Sequence, residues 1–457
     1  MIILLAALAV TGTSCIDDEF ATGSDVRLAF SVDTVAFDTV ITKQGTATKQ
    51  FVVYNRGDKM VNISSIKVAG VSEANFFLNV DGVKGDEFHD VEVRGGDSIY
   101  VFVESYIGET NLSQPVKMLD RIDFETNGVT QSVILSAWAQ DVVRLLNTTL
   151  DADYHMTAEK PYLIYDSLVV APTATLTIDA GATLLFHDDA WLKVEGKVKA
   201  HGEVGKEIVL RGDRLDHVVG EIGFDIMSGQ WRGVVIEPGS YGNVLSHVLM
   251  RGTRDGLKVL STDPTKLSLH MLNCVLHNAT NNTFLAVNAK VEAFGTEFSN
   301  AGRSAARLEG GDALFGNCTF ANYYLFDISK ESIVCWEGYG KVLPKCTLNN
   351  CIIYGLSSDI NIGDLMGLDI VLRNCLLKSD GDDDAHFISC VWAGDPKFYV
   401  DREKYIFDFR LQNESNAIAK GNSDFCPNEA RYDRYGVDRL AMTGLDLGAY
   451  AWVQAAE

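Results

Sequence analysis

The sequence predicts an all-β chain in two parts, a two-sheet β-sandwich followed by a solenoid of short stacked strands. Three observations carry this reading. Residues 25–140 alternate apolar and polar side chains over short runs. The second half repeats itself about every 22 residues. Forty glycines stand against eight prolines in 457 residues, which suits a turn-rich chain and not a proline-rich stalk. Apolar residues at 47% and charged residues at 22% rule out wholesale disorder. With 39 basic against 62 acidic residues the formal net charge is −23, so nucleic acid and other polyanions are repelled and excluded as partners.

The first element is residues 1–24. Residues 2–10, IILLAALAV, form an apolar run too short to cross a bilayer as a helix but the size of a signal-peptide core. Small residues follow, then Cys15-Ile16-Asp17-Asp18-Glu19. This arrangement resembles the signal of bacterial lipoproteins, which implies that Cys15 is lipidated and holds the protein to a membrane. Asp17, Asp18 and Glu19 resemble the surface-export signal of outer-membrane lipoproteins in Gram-negative anaerobes rich in glycan-utilisation systems. The resemblance implies an outer-membrane protein facing the cell exterior, tethered by a short acidic segment.

The second element is residues 25–140. LAFSV, QFVVYN, ISSIKVAG, DVEVRG, SIYVFVESY, RIDFET and SVILSAWA read as strands, separated by turn signals such as Asp81-Gly82 and Asn127-Gly128. Seven strands at this spacing predict an immunoglobulin-like sandwich, here without a cysteine to bridge its sheets. The stretch DTVAFDTVITKQGTATKQFVVYNRGDKMVNISSIKVAG resembles bacterial immunoglobulin-like domains that precede repeat modules in surface lipoproteins. Such modules act as spacers or docking platforms. Thr34, Thr39, Ser98 and Ser167 each sit in an Asp-Ser/Thr-aliphatic triplet that resembles the O-glycosylation acceptor of the same bacteria. Ordinary edge-strand composition gives the same pattern.

Residues 141–160 read as a linker, and from 161 the texture becomes short strands with Gly/Asn turns. HMLNCVLHNA, VEAFGTEFSNA, ALFGNCTFANY, TLNNCIIYGL and VLRNCLLKSD align on Cys274, Thr296, Cys318, Cys351 and Cys375, at steps of 22, 22, 33 and 24. Such a period marks a solenoid, with the long step read as an insertion at residues 329–345. No 3.6 period survives the Asn/Gly interruptions, so helical repeats are excluded. TLTIDAGATLLFHDDAWLKVEGKVKAHG, WRGVVIEPGS and the closing series GDPKF, FDFRLQNESNAIAKGN, YDRYGVDR and DLGAY resemble the right-handed parallel β-helix family. The resemblance implies about ten coils over residues 161–400, closed by a terminal coil and cap at 401–457. Asn273, Asn317, Asn350 and Asn374 should then ladder along one turn, each bonding the asparagines above and below. Cys274, Cys318, Cys351 and Cys375 should point inward as small apolar fillers, reduced and stacked. A serine in their place would leave a buried hydroxyl unsatisfied. The disulfide state of Cys335, Cys346, Cys390 and Cys426 stays open.

Two clusters could carry chemistry. Arg251, Arg254 and Lys258 are basic in an acidic chain, with Arg303 and Arg307 a coil or two later. In a polysaccharide lyase, one such group would take the proton α to a uronate carboxylate while others neutralise it. Asp255 and Glu309 lie among them, so internal ion pairing is the competing expectation. Asp380, Asp382, Asp383 and Asp384 form the densest acidic run, and oxygen-only ligands would suit Ca²⁺, but a solvated loop is the favoured reading. No other metal or cofactor motif is present in the sequence. Aromatics outside the strand frame, among them Tyr323, Tyr324, Trp336, Tyr339, Trp392, Tyr399, Tyr405, Tyr432 and Tyr435, offer faces for sugars or protein partners. The expected function is therefore a non-enzymatic binding or scaffold component, engaging an outer-membrane protein complex or a surface glycan. The alternative is a β-helix enzyme, foremost a polysaccharide lyase.

Overall fold

A computed structural model describes residues 19–219, 222–441 and 444–454, and the chain divides after Asp141 into two compact units. Cys15, Asp17 and Asp18 lie outside the described residues. Apart from four short 3-10 turns, the regular elements among the described residues are strands.

The first unit is a sandwich of two five-stranded sheets. One runs in the order 29–30, 49–54, 98–107, 74–80, 83–85, and the other in the order 34–41, 129–140, 116–126, 61–68, 87–93. All pairings are antiparallel except Thr34–Ile41, which lies parallel to Val129–Gln140. Alternation supplies the shared core: Ile99, Val101 and Val103 from one sheet meet Ile122, Phe124, Val133 and Leu135 from the other. Asp81-Gly82 and Asn127-Gly128 turn their hairpins with positive φ at both residues (49° and 87°, 49° and 74°), the backbone these residue types accept. The sequence pattern missed Ala74–Val80 as a strand because Phe77 is apolar yet points outward, half exposed, which blurs the alternation.

The second unit stacks coils of parallel strands, as in a β-helix. Its first face runs through Trp191–Val194, Gly233–Ile236, Leu257–Leu260, Phe284–Val287, Ala306–Glu309 and Val334–Glu337. The second face carries ten strands, from Tyr154–Met156 to Phe387–Ile388. The third runs through Thr183–Phe186, Ile208–Gly212, Val248–Arg251, Val275–Ala279, Glu297–Ala301, Thr319–Asn322 and Ile352–Gly355. The strand Tyr162–Val170 belongs to both the first and third faces and joins them into one sheet. Inside, aromatic rings stack coil on coil: Phe186 on Trp231 at 4.0 Å, and Phe298 on Phe320 at 5.0 Å.

Residues 141–160 are not a linker. Val143–Leu150 pairs parallel with Tyr162–Val170 and Tyr154–Met156 with Thr175–Asp179, so this segment is the first coil. Its outward face sets the exposed Leu146 beside Arg144 and Thr149, and a bulge at the left-handed Asn147 shifts the register, so the alternation is blurred. The long step after Cys318 also differs from expectation, since Val334–Glu337 is a regular first-face strand with Trp336 buried inward. The extra length lies instead in the loops either side of that strand.

Between the second and third faces each coil from His247 onward turns a corner on a residue with left-handed φ. His247, Asn273, Gly295, Asn317, Asn350, Asn374 and Ser389 occupy it in turn, at φ between 49° and 58°. Asparagine tolerates this conformation better than other non-glycine residues, which explains its recurrence. The residue after the corner points inward: Cys274, Thr296, Cys318, Cys351 and Cys375 are fully buried, and Cys390 continues the series. All eight cysteines from Cys274 to Cys426 are free thiols. Each inward thiol donates to the carbonyl two residues back, as Cys318 does to Gly316 (3.4 Å) and Cys351 to Asn349 (3.2 Å). Thr296 places its hydroxyl on Phe294 O in the same way (3.1 Å). A serine at a ladder position therefore has an acceptor waiting, contrary to the expectation from sequence.

The asparagine side chains do not chiefly bond one another. They hold the C-terminal tail. Asn374 donates to Lys420 O (3.4 Å), Asn350 to Asn422 O (3.0 Å), Asn317 to Asp446 O (3.2 Å) and Asn273 to Tyr432 O (3.0 Å). Residues 401–457 are thus not simply a terminal cap: their described part runs back along the stack and reaches Glu207 through Arg434. Arg439 is buried within it and donates to three main-chain carbonyls, Ala430, Gly448 and Ala449.

Two outcomes follow from this packing. Arg439→Ala leaves three buried carbonyls without donors and should destabilise the tail by roughly 2–4 kcal/mol. Limited trypsin digestion would then release tail peptides while the coils survive, and unchanged resistance would contradict the account. In the thiol ladder, Cys318→Ser should cost less than ~1 kcal/mol because the hydroxyl inherits Gly316 O. Cys318→Leu should cost ~1–3 kcal/mol by overpacking. Thiol titration of the denatured, unreduced chain should count all eight of these cysteines as free.

Candidate functional site

The third face presents outward rows as well as inward ones. Register stacks Arg251 on His277 and His277 on Ser299, with Val275 on Glu297 beside them. The returning tail lays Phe407, Asp408, Phe409, Arg410, Arg434, Tyr435 and Tyr450 against this row. Between them lies an open cleft of about 360 Å³.

A proton chain runs along its wall. Tyr450 Oη donates to Glu297 Oε2, and Ser299 Oγ donates to Glu297 Oε1 at 2.5 Å. Ser299 Oγ also lies 2.7 Å from His277 Nδ1. With its own proton directed at Glu297, Ser299 accepts from His277 Nδ1–H, which leaves His277 Nε2 with a lone pair. Burial pushes the Glu297 carboxyl up, with the Ser299 and Tyr450 hydrogen bonds opposing. Burial, with the Arg251 charge behind it, pushes His277 down to about 3. The imidazole is therefore neutral near pH 7.

Three guanidinium groups complete the cleft. Arg410 grips Asp408 through Nε (2.9 Å) and Nη2 (2.5 Å). Arg251 Nη1 lies 2.9 Å from Asp225, which also holds Arg211 at 2.5 Å. Arg434 is nine-tenths buried, with Nη2 3.3 Å from Glu207. The Nε atoms of Arg251 and Arg434 are buried without a hydrogen-bond partner. Tyr435, half exposed, has Arg434 and Arg410 at 5.3 and 5.7 Å from its ring centre. The arrangement sets two guanidinium groups and the Tyr450 ring around a half-exposed aromatic side chain.

The basic cluster read from sequence is dispersed. Arg251 joins the third-face cleft, Lys258 points from the first face to Asp255 (3.3 Å), and Arg254 reaches Asp189 from the intervening turn (2.6 Å). Asp189 also pairs with Arg232. Arg303 lies 2.6 Å from Glu331, and Arg307 lies 3.0 Å from Glu309. These groups do not converge on one substrate position.

No known family matches the sequence, and no curated protein does. Among solved structures, the E. coli chaperone DraB aligns at 12% identity over 25% of this chain and 55% of its own, with a TM-score of 0.19. A family 123 glycoside hydrolase from Clostridium perfringens aligns at 11% identity over 27% of this chain and 26% of its own, with a TM-score of 0.18. The chain thus spans about half of the first structure and a quarter of the second.

The remaining sequence-derived residues scatter. Asp383 accepts from Ser389 N (2.6 Å) and Trp392 Nε1 (3.2 Å), and Asp384 from His386 N (2.7 Å). Asp380 and Asp382 are exposed, and no metal-holding group of three appears among the described residues. The acidic run is thus split by loop capping. Glu19 lies 2.8 Å from Lys59. Thr34 is exposed, Thr39 and Ser98 are half-buried, and Ser167 donates to Asn147 (3.0 Å). A second groove, about 650 Å³, lies on the first unit, lined by Phe77 and Phe102 with Thr48, Asn79, Lys84, Asp86 and Glu104.

Sequence reasoning missed His277, Glu297, Arg434 and Tyr450. For His277 and Ser299 the signal was present, since they stand 22 residues apart at matched places of the repeat. For the tail residues it was not, because nothing local announces a backward path.

The pH dependence of folding tests His277, alongside a loss of the same sign from His247, which burial also lowers. The folded value of His277, about 3, lies below the ordinary 6.5, so the unfolded chain takes up the proton first and stability falls as pH drops from about 6.5. Glu297, raised, acts oppositely: its contribution is present at low pH and is lost as pH rises through its folded value. Replacing His277 with Gln should therefore flatten the loss of urea midpoint between pH 7 and 5. An identical slope in the variant would show that His277 is not held neutral.

Proposed function

We propose that the chain is a non-enzymatic glycan-binding component of the outer membrane, lipidated at Cys15 and facing the exterior. In this reading the first unit is immunoglobulin-like and serves as a spacer or docking platform for an envelope complex. The second is a right-handed β-helix that bears the ligand site. The observation that carries the proposal is the open cleft, which sets the half-exposed Tyr435 ring among arginine donors. A pyranose ring can lay its C–H face on such an aromatic while its hydroxyls meet the surrounding polar groups. The groups capable of proton chemistry, Glu297, Ser299, His277 and Tyr450, are engaged with one another along the wall.

One observation favours the enzymatic alternative. Neutral His277 is the register neighbour of Arg251 on the third face, which pairs the residue types a lyase would use as base and neutraliser. Gel-retardation affinity and absorbance at the unsaturated-uronate band, run together on neutral and acidic polysaccharides with and without Ca²⁺, separate the two. Binding without turnover is expected, weakened about tenfold by Tyr435→Ala. Turnover abolished by His277→Gln would make the protein an enzyme and overturn the proposal.

A further inference from the structure

Resting on that reading of the cleft, we infer that its ligand is a terminal acidic sugar whose carboxylate is received by Arg434 and Arg251. Two buried Nε–H groups in the cleft lining have no acceptor. Arg434 is nine-tenths buried, lines the cleft and has a single carboxylate contact, Glu207, through Nη2. Its Nε is left with nothing to donate to, and so is that of Arg251, whose Nη1 is turned to Asp225. A desolvated guanidinium N–H without an acceptor is costly, and a carboxylate relieves it with the two parallel bonds that the planar fork matches.

The rest of the lining decides what bears that carboxylate. Tyr435 offers an exposed ring, with Phe407 and Phe409 nearby, and 360 Å³ accommodates one or two sugar rings and not a folded peptide. Asp408, already held by Arg410, and Glu297, already receiving Tyr450 and Ser299, leave lone pairs that suit hydroxyl donors and disfavour a second anionic group. Long-range charge narrows the choice again. A chain at −23 repels a polyuronate run, but repulsion is screened beyond ~8 Å in physiological salt, so one acidic residue at a chain end can enter.

The test is isothermal titration of the full detergent-solubilised chain with D-glucuronate, D-galacturonate, their neutral hexoses and sulfate. At least one uronate should bind, with affinity falling as salt rises. Arg434→Gln and Arg251→Gln should each weaken it tenfold or more, and Arg434→Lys should restore only part because the fork is lost. Tyr435→Ala, at an exposed position that leaves folding intact, should also weaken it, while Phe77→Ala in the other groove should leave it unchanged. A neutral hexose binding as tightly as its uronate would overturn the carboxylate assignment and leave the glycan reading standing. Sulfate binding as tightly would overturn the acidic sugar. Failure of every sugar at millimolar concentration would overturn both.

Discussion

A parallel coil must turn the backbone from one face to the next, and from His247 onward the second unit does so between its second and third faces with a single left-handed residue. From His247 to Ser389 the corner φ stays near +50° while the side chain changes from histidine to asparagine, glycine and serine. The conformation is thus what recurs, and asparagine is its commonest means. The corner N–H is not left over: Asn273 N bonds Phe294 O and Asn374 N bonds Ile388 O, both at 2.9 Å, so each corner is tied to the next coil. Because the corner is fixed, the next residue must point inward, and only a small side chain fits there. Burial pushes the thiol of Cys274 up to about 12, which keeps that thiol protonated and chemically quiet.

The same corners organise the outside. An asparagine in this conformation aims its amide away from the stack, where it needs an acceptor, and the tail supplies main-chain carbonyls at Lys420, Asn422, Tyr432 and Asp446. In return Asn422 N donates to Asn350 Oδ1 at 2.8 Å, so the attachment is reciprocal. A ladder of asparagines bonding one another would stabilise the turn alone. One that binds the tail also determines where residues more than a hundred positions downstream come to rest, including Tyr450 on Glu297.

This accounts for what could be read in the sequence. The repeat, the two-part organisation and the inward cysteines depend on spacing within a coil, and spacing is visible. The pairing of Arg254 and Lys258 with Asp255 is local too, and Asp255 stands inside the cluster. The cleft is a different matter. Arg251, His277 and Ser299 share a row through the repeat, but Arg434, Tyr435 and Tyr450 reach it only by the tail's return. That path is set by tertiary hydrogen bonds which leave no period behind. The first coil escaped notice for the related reason that Val143–Leu150 exposes Leu146, bulges at Asn147 and takes its identity from pairing with Tyr162–Val170.

The outer row also explains why a polar site can exist on a β-sheet face at all. Left in water, Arg251, His277 and Glu297 would be ordinary surface groups with ordinary titration. Covered by the tail they lose solvent, and each must find a partner or change protonation. Glu297 does so with Tyr450 and Ser299, and Asp225 answers Arg251 and Arg211 together. What the cover does not provide is an acceptor for every N–H, and the buried Nε atoms of Arg251 and Arg434, two residues that line the cleft, go without one. Arg439 is thus satisfied three times over while Arg434, which lines the cleft, keeps an unpartnered Nε. Desolvation by the tail therefore does two things at once: it quiets the acid–base groups of the wall and sharpens the demand of the arginines for an outside oxygen.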